Sequence, residues 1–215
     1  EGKTRRLVFS GDLGRKRIPI LKDPTLISDA EIMILESTYG NRMHDPIEIA
    51  DDKLAEAVKA IYERKGKIII PSFALERTQE ILYSFHKLLK ANRIPRIPVY
   101  VDSPLAIKVT DIFRLHPECY DEEMMSLFDG REDPFEFPEL EVVRSKEASQ
   151  ALNETSGPMI IMSASGMCEG GRVLHHLRNH IGDPDNMVLI VGFQAKYTLG
   201  RKIVEGTNKP GQHVF

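Results

Sequence analysis

The chain has 215 residues, 41% of them apolar and 28% charged, with a formal net charge of −3. That balance describes a folded globular protein with enough chain for a sizeable core, and it excludes a mainly disordered state. No apolar run approaches the ~18–20 residues that a membrane span needs, and the opening Glu1-Gly2-Lys3-Thr4 has no apolar signal region. Two cysteines, Cys119 and Cys168, make neither a disulfide scaffold nor a zinc finger and fit a reducing compartment such as the cytoplasm. Charge is unevenly placed. Between Glu118 and Glu141 ten acidic residues accompany one base, Arg131, and the rest of the chain carries +6. Screening confines fields to ~8–10 Å, so a mildly basic face elsewhere can still hold phosphate.

In chain order, Leu7-Val8-Phe9 reads as a short strand ending in the turn Ser10-Gly11-Asp12-Leu13-Gly14. Ile32-Met33-Ile34-Leu35 is a second, closing on Glu36-Ser37-Thr38-Tyr39-Gly40. Strands that end in polar turns place side chains at the carboxyl edge of a sheet. Asp45, Pro46 and Glu48 form a helix start, followed by the stripe Ile47, Ala50, Leu54, Ala57, Val58 and Ile61 and a stop at Lys65-Gly66. Lys67 to Pro71 is a buried strand, and Leu75, Thr78, Leu82, Phe85 and Leu89 stripe the next helix. Pro98 to Val101 is a strand, with Asp102-Ser103-Pro104 capping the helix behind it. The acidic stretch, with Pro134 and Pro138, reads as a surface excursion. Strands at 140–143, 158–162 and 187–191 then alternate with helices at 146–152 and 170–178. Alternating βα units predict an α/β fold: an open, mainly parallel sheet with helices on both faces.

The stretch Met159 to Arg172 carries the strongest chemical signal. It runs from a strand through the loop Ser163-Ala164-Ser165-Gly166-Met167-Cys168-Glu169-Gly170-Gly171 into a helix with Arg172 in its first turn. Free N–H groups and the dipole at a helix start attract an anion, and small residues let a phosphate come close. A tight turn that simply needs glycines is the competing reading. Gly166-x-x-x-x-Gly171 resembles a P-loop only in spacing, because Arg172 and Val173 stand where the lysine and the magnesium-binding hydroxyl would be. An NTPase is excluded, and no nucleophile elbow is present. Asp12 and Glu36, at strand ends beside small residues, could reach a metal or orient a base, or could merely form turns. His176 and His180 have i, i+4 metal spacing but no third ligand in view. With His175 they are expected at the surface or facing phosphate. Neither HxHxDH nor HExxH occurs.

Several segments together resemble a known family. Phe9-Ser10-Gly11-Asp12-Leu13-Gly14-Arg15 and Leu35-Glu36-Ser37-Thr38-Tyr39-Gly40-Asn41-Arg42 resemble consecutive motifs of the β-CASP branch of metallo-β-lactamase-fold nucleases. Pro71-Ser72-Phe73-Ala74, Arg77-Thr78-Gln79-Glu80, Asp102-Ser103-Pro104-Leu105-Ala106, the loop Ser163 to Arg172, and Leu174-His175-His176-Leu177 continue the match in order. The chain is most similar to the prokaryotic RNA-processing members and to the endonuclease subunit of the cleavage and polyadenylation factor. The resemblance implies that Asp12 bridges two zinc ions, and that Glu36 positions a histidine protonating the leaving oxygen. It also implies that Ser163, Ser165, Gly166, Gly170, Gly171 and Arg172 hold a backbone phosphate of single-stranded RNA. Residues 1–40 are then the tail of the lactamase core, 41–205 the β-CASP domain and 206–215 the start of the return. The family's HxHxDH motif would precede Glu1 and its last histidines would follow Phe215. The expectation is thus an excised segment that binds no stoichiometric zinc and cleaves nothing by itself, with a zinc-dependent, cytoplasmic ribonuclease, homodimeric and free of membrane partners, as its parent. Two alternatives stay open: a stand-alone nucleotide-binding α/β module, which the missing G-x-G-x-x-G disfavours, and a DNA-directed nuclease of the same family.

Overall fold

The computed structural model of the chain describes residues 4–41, 46 and 48–206. Two parallel sheets organise it. The smaller pairs β1 (Leu7–Phe9) with β2 (Ile32–Ile34), Leu7 opposite Ile32. The larger contains β3 (Lys67–Pro71), β4 (Val99–Val101), β5 (Leu140–Val142), β6 (Met159–Ser163) and β7 (Met187–Val188), in the order β5-β4-β6-β3-β7. All its pairings are parallel, so every return needs a crossover. The crossovers carry α2 (Arg77–Lys90), α3 (Pro104–Leu115), α4 (Glu122–Asp129), α5 (Lys146–Glu154) and α6 (Val173–His180). α1 (Glu48–Arg64) precedes them and α7 (Leu199–Gly206) follows.

The two-residue period of β3 divides the core. Ile68 and Ile70 pack with α1 to α4, through Leu54, Val58, Ile61, Leu82, Phe85, Ile107 and Met124. Ile69 points to the other face, with Leu152, Val173, Leu177 and Ile203 from α5, α6 and α7. Each such side chain, fully buried, contributes about 1.5–3 kcal/mol, so both layers are needed. Adjacent strands β3 and β6 therefore send their helices to opposite faces. At such a switch point a crevice opens beyond the carboxyl ends of the strands, here between loops 71–76 and 163–172.

The α/β expectation, with a mainly parallel sheet covered on both faces, is met, and boundaries shift by a few residues. The 170–178 helix forms at 173–180, and the 187–191 strand stops at Val188. Leu75 precedes α2 and is 63% exposed rather than part of its buried stripe. Asp45 and Ile47, and the return segment beyond Gly206, lie outside the described residues. The acidic stretch is more than an excursion, because it places Tyr120, Met124, Phe135 and Phe137 in the core. Its Glu132, Asp133 and Glu139 pair with Lys90, Arg114 and Arg96. Among the described residues no helix is long and apolar enough to cross a membrane.

Candidate functional site

The crevice is floored by strand ends. Ser72 N–H donates to Ser163 O at 3.1 Å, and Ser163 Oγ donates to the Asp102 carbonyl at 2.9 Å, which ties the ends of β3, β6 and β4 together. Ser163 is 1% exposed, so its hydroxyl frames the loop from within. Beyond it the chain folds on itself. Ser165 Oγ accepts the Glu169 N–H at 3.1 Å, and Ala164 O accepts the first helical N–H, that of Val173, at 3.3 Å. Gly166 is pressed on Phe73, where a Cβ would come within 2.7 Å of the ring and 2.9 Å of the Phe73 nitrogen. Gly171 sits at φ +77°, a conformation that glycine adopts without strain. Among the described residues, the N–H groups of Gly170 and Gly171 meet no intramolecular acceptor. They lie at the solvent-facing entry to α6, where the helix dipole favours an anion.

Arg172 behaves differently from the expectation. Its guanidinium turns inward, donating to Asp102 Oδ1 at 2.6 Å, to Val143 O at 3.1 Å and to Arg144 O at 3.0 Å. The fork thereby fixes the loop against β4 and the end of β5. Asp102 is fully buried and also binds His176 Nε2 at 2.7 Å and the Ser149 hydroxyl. Burial pushes the Asp102 carboxyl up, but bonds from His176, Ser149 and Arg172 outweigh it and hold it below the ordinary aspartate range.

The histidine expectation is corrected. His176 is 0% exposed and His180 is buried, and both meet Asn153 Oδ1, at 2.9 and 3.1 Å. Only His175 faces solvent. The signal was present in the sequence: Val173, His176, Leu177 and His180 follow i, i+3, i+4, i+7 and share the buried face. Burial, with the charges of Lys67 and His176, lowers His180 to about 4. In the unfolded chain a histidine titrates near ~6.5, so the unfolded state takes up this proton first as the medium acidifies. Stability should fall between those two values and gain no further loss from this group below the lower one. Urea midpoints across that range should show the decline, and His180→Leu should flatten it. An unchanged slope in the variant would assign the decline to other groups.

Asp12 and Glu36 occupy the smaller sheet's carboxyl edge. Glu36 N–H donates to Ser10 Oγ at 3.0 Å, and its carboxylate accepts the Thr38 N–H at 2.9 Å. Bonds from the Thr38 backbone and side chain, with one from the Leu13 backbone, hold Glu36 below the usual glutamate range. Leu13 adjoins Asp12, so the two turns meet, and both acids are exposed. The link to the loop is indirect: the Tyr39 ring stacks edge-on against Phe193 at 5.8 Å, and neighbouring Gln194 donates to Gly166 O at 2.8 Å. Asp102 and Gln194 are the site residues that sequence reasoning missed. Among the described residues, no three His, Cys, Asp or Glu side chains come together as a metal site. Asp12 supplies at most one ligand where a catalytic zinc needs about three, so the described residues do not fit two zinc ions.

Residues 78–203 match the family model described as Beta-Casp domain. The chain is 40% identical over 204 residues to Ribonuclease TTHA0252 of Thermus thermophilus, covering 95% of this chain and 47% of that protein. It is 31% identical over 213 residues to an RNase J-like protein of Methanocaldococcus jannaschii, covering 95% and 47%. With the cleavage and polyadenylation specificity factor subunit 3 of Dictyostelium discoideum it shares 27% over 201 residues, 93% of this chain and 25% of that one. The chain thus spans half or less of these curated relatives.

Proposed function

From the finding that this chain belongs to the Beta-Casp domain family, we propose that it is the RNA-binding β-CASP region of a zinc-dependent ribonuclease acting on phosphodiester bonds of single-stranded RNA. The observation that carries the reading is the open pair of N–H groups at Gly170 and Gly171, beside the switch-point crevice and on the loop that Gln194 and Phe193 connect to Tyr39 and the Glu36 turn. A backbone phosphate seats against those donors and the Ser165 hydroxyl, while Ser163, Gly166 and Arg172 hold the loop's shape. Glu36, kept ionised by its donors, presents a carboxylate that can orient a histidine supplied by the longer protein. Asp12 is this chain's contribution to the metal site, and the isolated chain hydrolyses nothing.

Titration with a single-stranded oligoribonucleotide, its deoxy counterpart and mononucleotides tests this. The ribo-oligomer should bind at least about tenfold tighter than any mononucleotide, with a log–log salt slope of about −0.7 per phosphate contacted, and it should be recovered intact. Mononucleotide binding as tight as oligomer binding would favour the stand-alone module, and preference for the deoxy strand would favour a DNA-directed enzyme.

A further inference from the structure

The turn that leads into α7 carries a strained and exposed aromatic ring. Residues 195–198 close through the Thr198 N–H, which donates to Ala195 O at 3.4 Å, and the Thr198 hydroxyl, which donates to the same oxygen at 2.8 Å. Tyr197 stands third in this turn at φ +72°. Glycine is favoured where the third residue of a turn is left-handed, and a bulky side chain there is an outlier. The strain brings no burial in return. Tyr197 is 89% exposed, the most exposed large apolar side chain among the described residues. Strained residues of this kind cluster at sites that clamp a ligand.

The surroundings fix the turn against the 163–172 loop. Thr198 Oγ1 accepts the Arg201 N–H at 3.2 Å and so caps α7. The Leu199 N–H donates to the Glu169 carboxylate at 2.5 Å, and the Gly200 N–H to Met167 O at 3.0 Å. Tyr197 is two Cα steps, at most ~7.6 Å, from Leu199, whose partner Glu169 directly precedes Gly170. That span is on the scale of a single nucleotide. Glu169 is engaged by the start of α7, and the neighbouring Lys196 is exposed. An open pair of N–H groups, a cation and an exposed ring thus occur within a short stretch of bonded chain. An apolar protein partner uses the ring alone, and a free anion uses the N–H pair and the cation alone. A single strand, in which bases alternate with phosphates, uses all three, because every base has a face that stacks on an aromatic side chain. We propose that Tyr197 is a nucleobase platform: an unpaired base of the bound RNA stacks on its ring, a neighbouring phosphate meets Gly170 and Gly171, and Lys196 faces the next phosphate. The platform rests on the RNA-binding reading and adds the contact to the bases that the loop itself lacks.

Calorimetric titration of the 215-residue chain with a short single-stranded oligoribonucleotide, and with an abasic strand of the same length, tests it. The base-bearing strand should bind about five- to tenfold tighter than the abasic one. Tyr197→Gly should remove most of that preference and keep the salt slope, while Tyr197→Phe retains both. The glycine variant relieves the left-handed strain, so its melting temperature should hold or rise while its binding falls. A ring that only shaped the turn would lose nothing on that replacement. Lys196→Ala should keep the preference and reduce the log–log salt slope by about 0.7. The chain contains no tryptophan, so Tyr197→Trp places a single reporter at the platform, and saturation with the base-bearing strand should quench its emission. Equal binding of the two strands by the unsubstituted chain, a Tyr197→Gly variant that keeps the full preference, or tryptophan emission unmoved at saturation would overturn the proposal. Oligomer binding with its salt slope intact would show, in any of those cases, that the RNA-binding reading still holds. Absence of binding by both strands would defeat that reading and the platform together.

Discussion

Replacing Asp102 with alanine should destabilise the chain by about 3–5 kcal/mol, the largest single-site loss expected outside the apolar core. The side chain is 0% exposed and sits between the Arg172 guanidinium, the His176 imidazole and the Ser149 hydroxyl. Deleting it strands two cationic or protonatable groups without their counter-charge, one of them, His176, also 0% exposed. The pair itself adds little net stability compared with an apolar filling; the damage comes from removing one half of it. Urea unfolding at neutral pH measures the loss. The sign of the pH dependence gives a second check. The folded carboxyl lies below its ordinary value, so its contribution is present above the unfolded aspartate range and fades as acid protonates it in the folded state. The difference between wild type and variant should therefore shrink in strong acid. A loss under about 1 kcal/mol at neutral pH would fall within the range of exposed ion pairs and would show that the node is solvent-compensated.

That node was not legible in the sequence, while the layers around it were. The stripe from Leu54 to Ile61 and the run Ile68-Ile69-Ile70 announce a helix and a doubly covered strand through local periodicity alone, and both form. Asp102 instead finds its partners 47, 70 and 74 residues away. The motif Asp-Ser-Pro reads locally as a cap, which Ser103 does provide by accepting the Ala106 N–H; nothing local tells that the preceding carboxylate points into the core. The inward turn of Arg172 toward Asp102 is equally illegible from local sequence. An arginine after a glycine loop is compatible with phosphate or with a buried acid, and the choice depends on where β4 ends. α7, Leu199–Gly206, is a further element absent from the sequence expectations; it is eight residues long and buries Gly200 and Ile203. Gln194 falls in this class too, its amide reaching Gly166 across 28 residues.

Gly171→Ala should separate loop geometry from glycine content, with an expected cost of about 2–3 kcal/mol and about tenfold or more weaker oligoribonucleotide binding. Two effects add at this position. Its φ of +77° is left-handed, where any Cβ is strained, and that Cβ would stand 2.5 Å from the Ala164 carbonyl oxygen. The oxygen belongs to the backbone and accepts the first helical N–H, from Val173, so it cannot swing away without unseating α6. The loop must open instead, and the neighbouring N–H groups are displaced with it. Gly170→Ala is the internal control: its added methyl meets nothing within 4 Å, and it should stay within about 0.5 kcal/mol of wild type with binding retained. Thermal melts and oligomer titrations on both variants read the comparison. Equal effects from the two substitutions would mean that small size rather than backbone direction matters here. Full binding by a destabilised Gly171→Ala would remove the loop from the RNA path and leave it a structural turn.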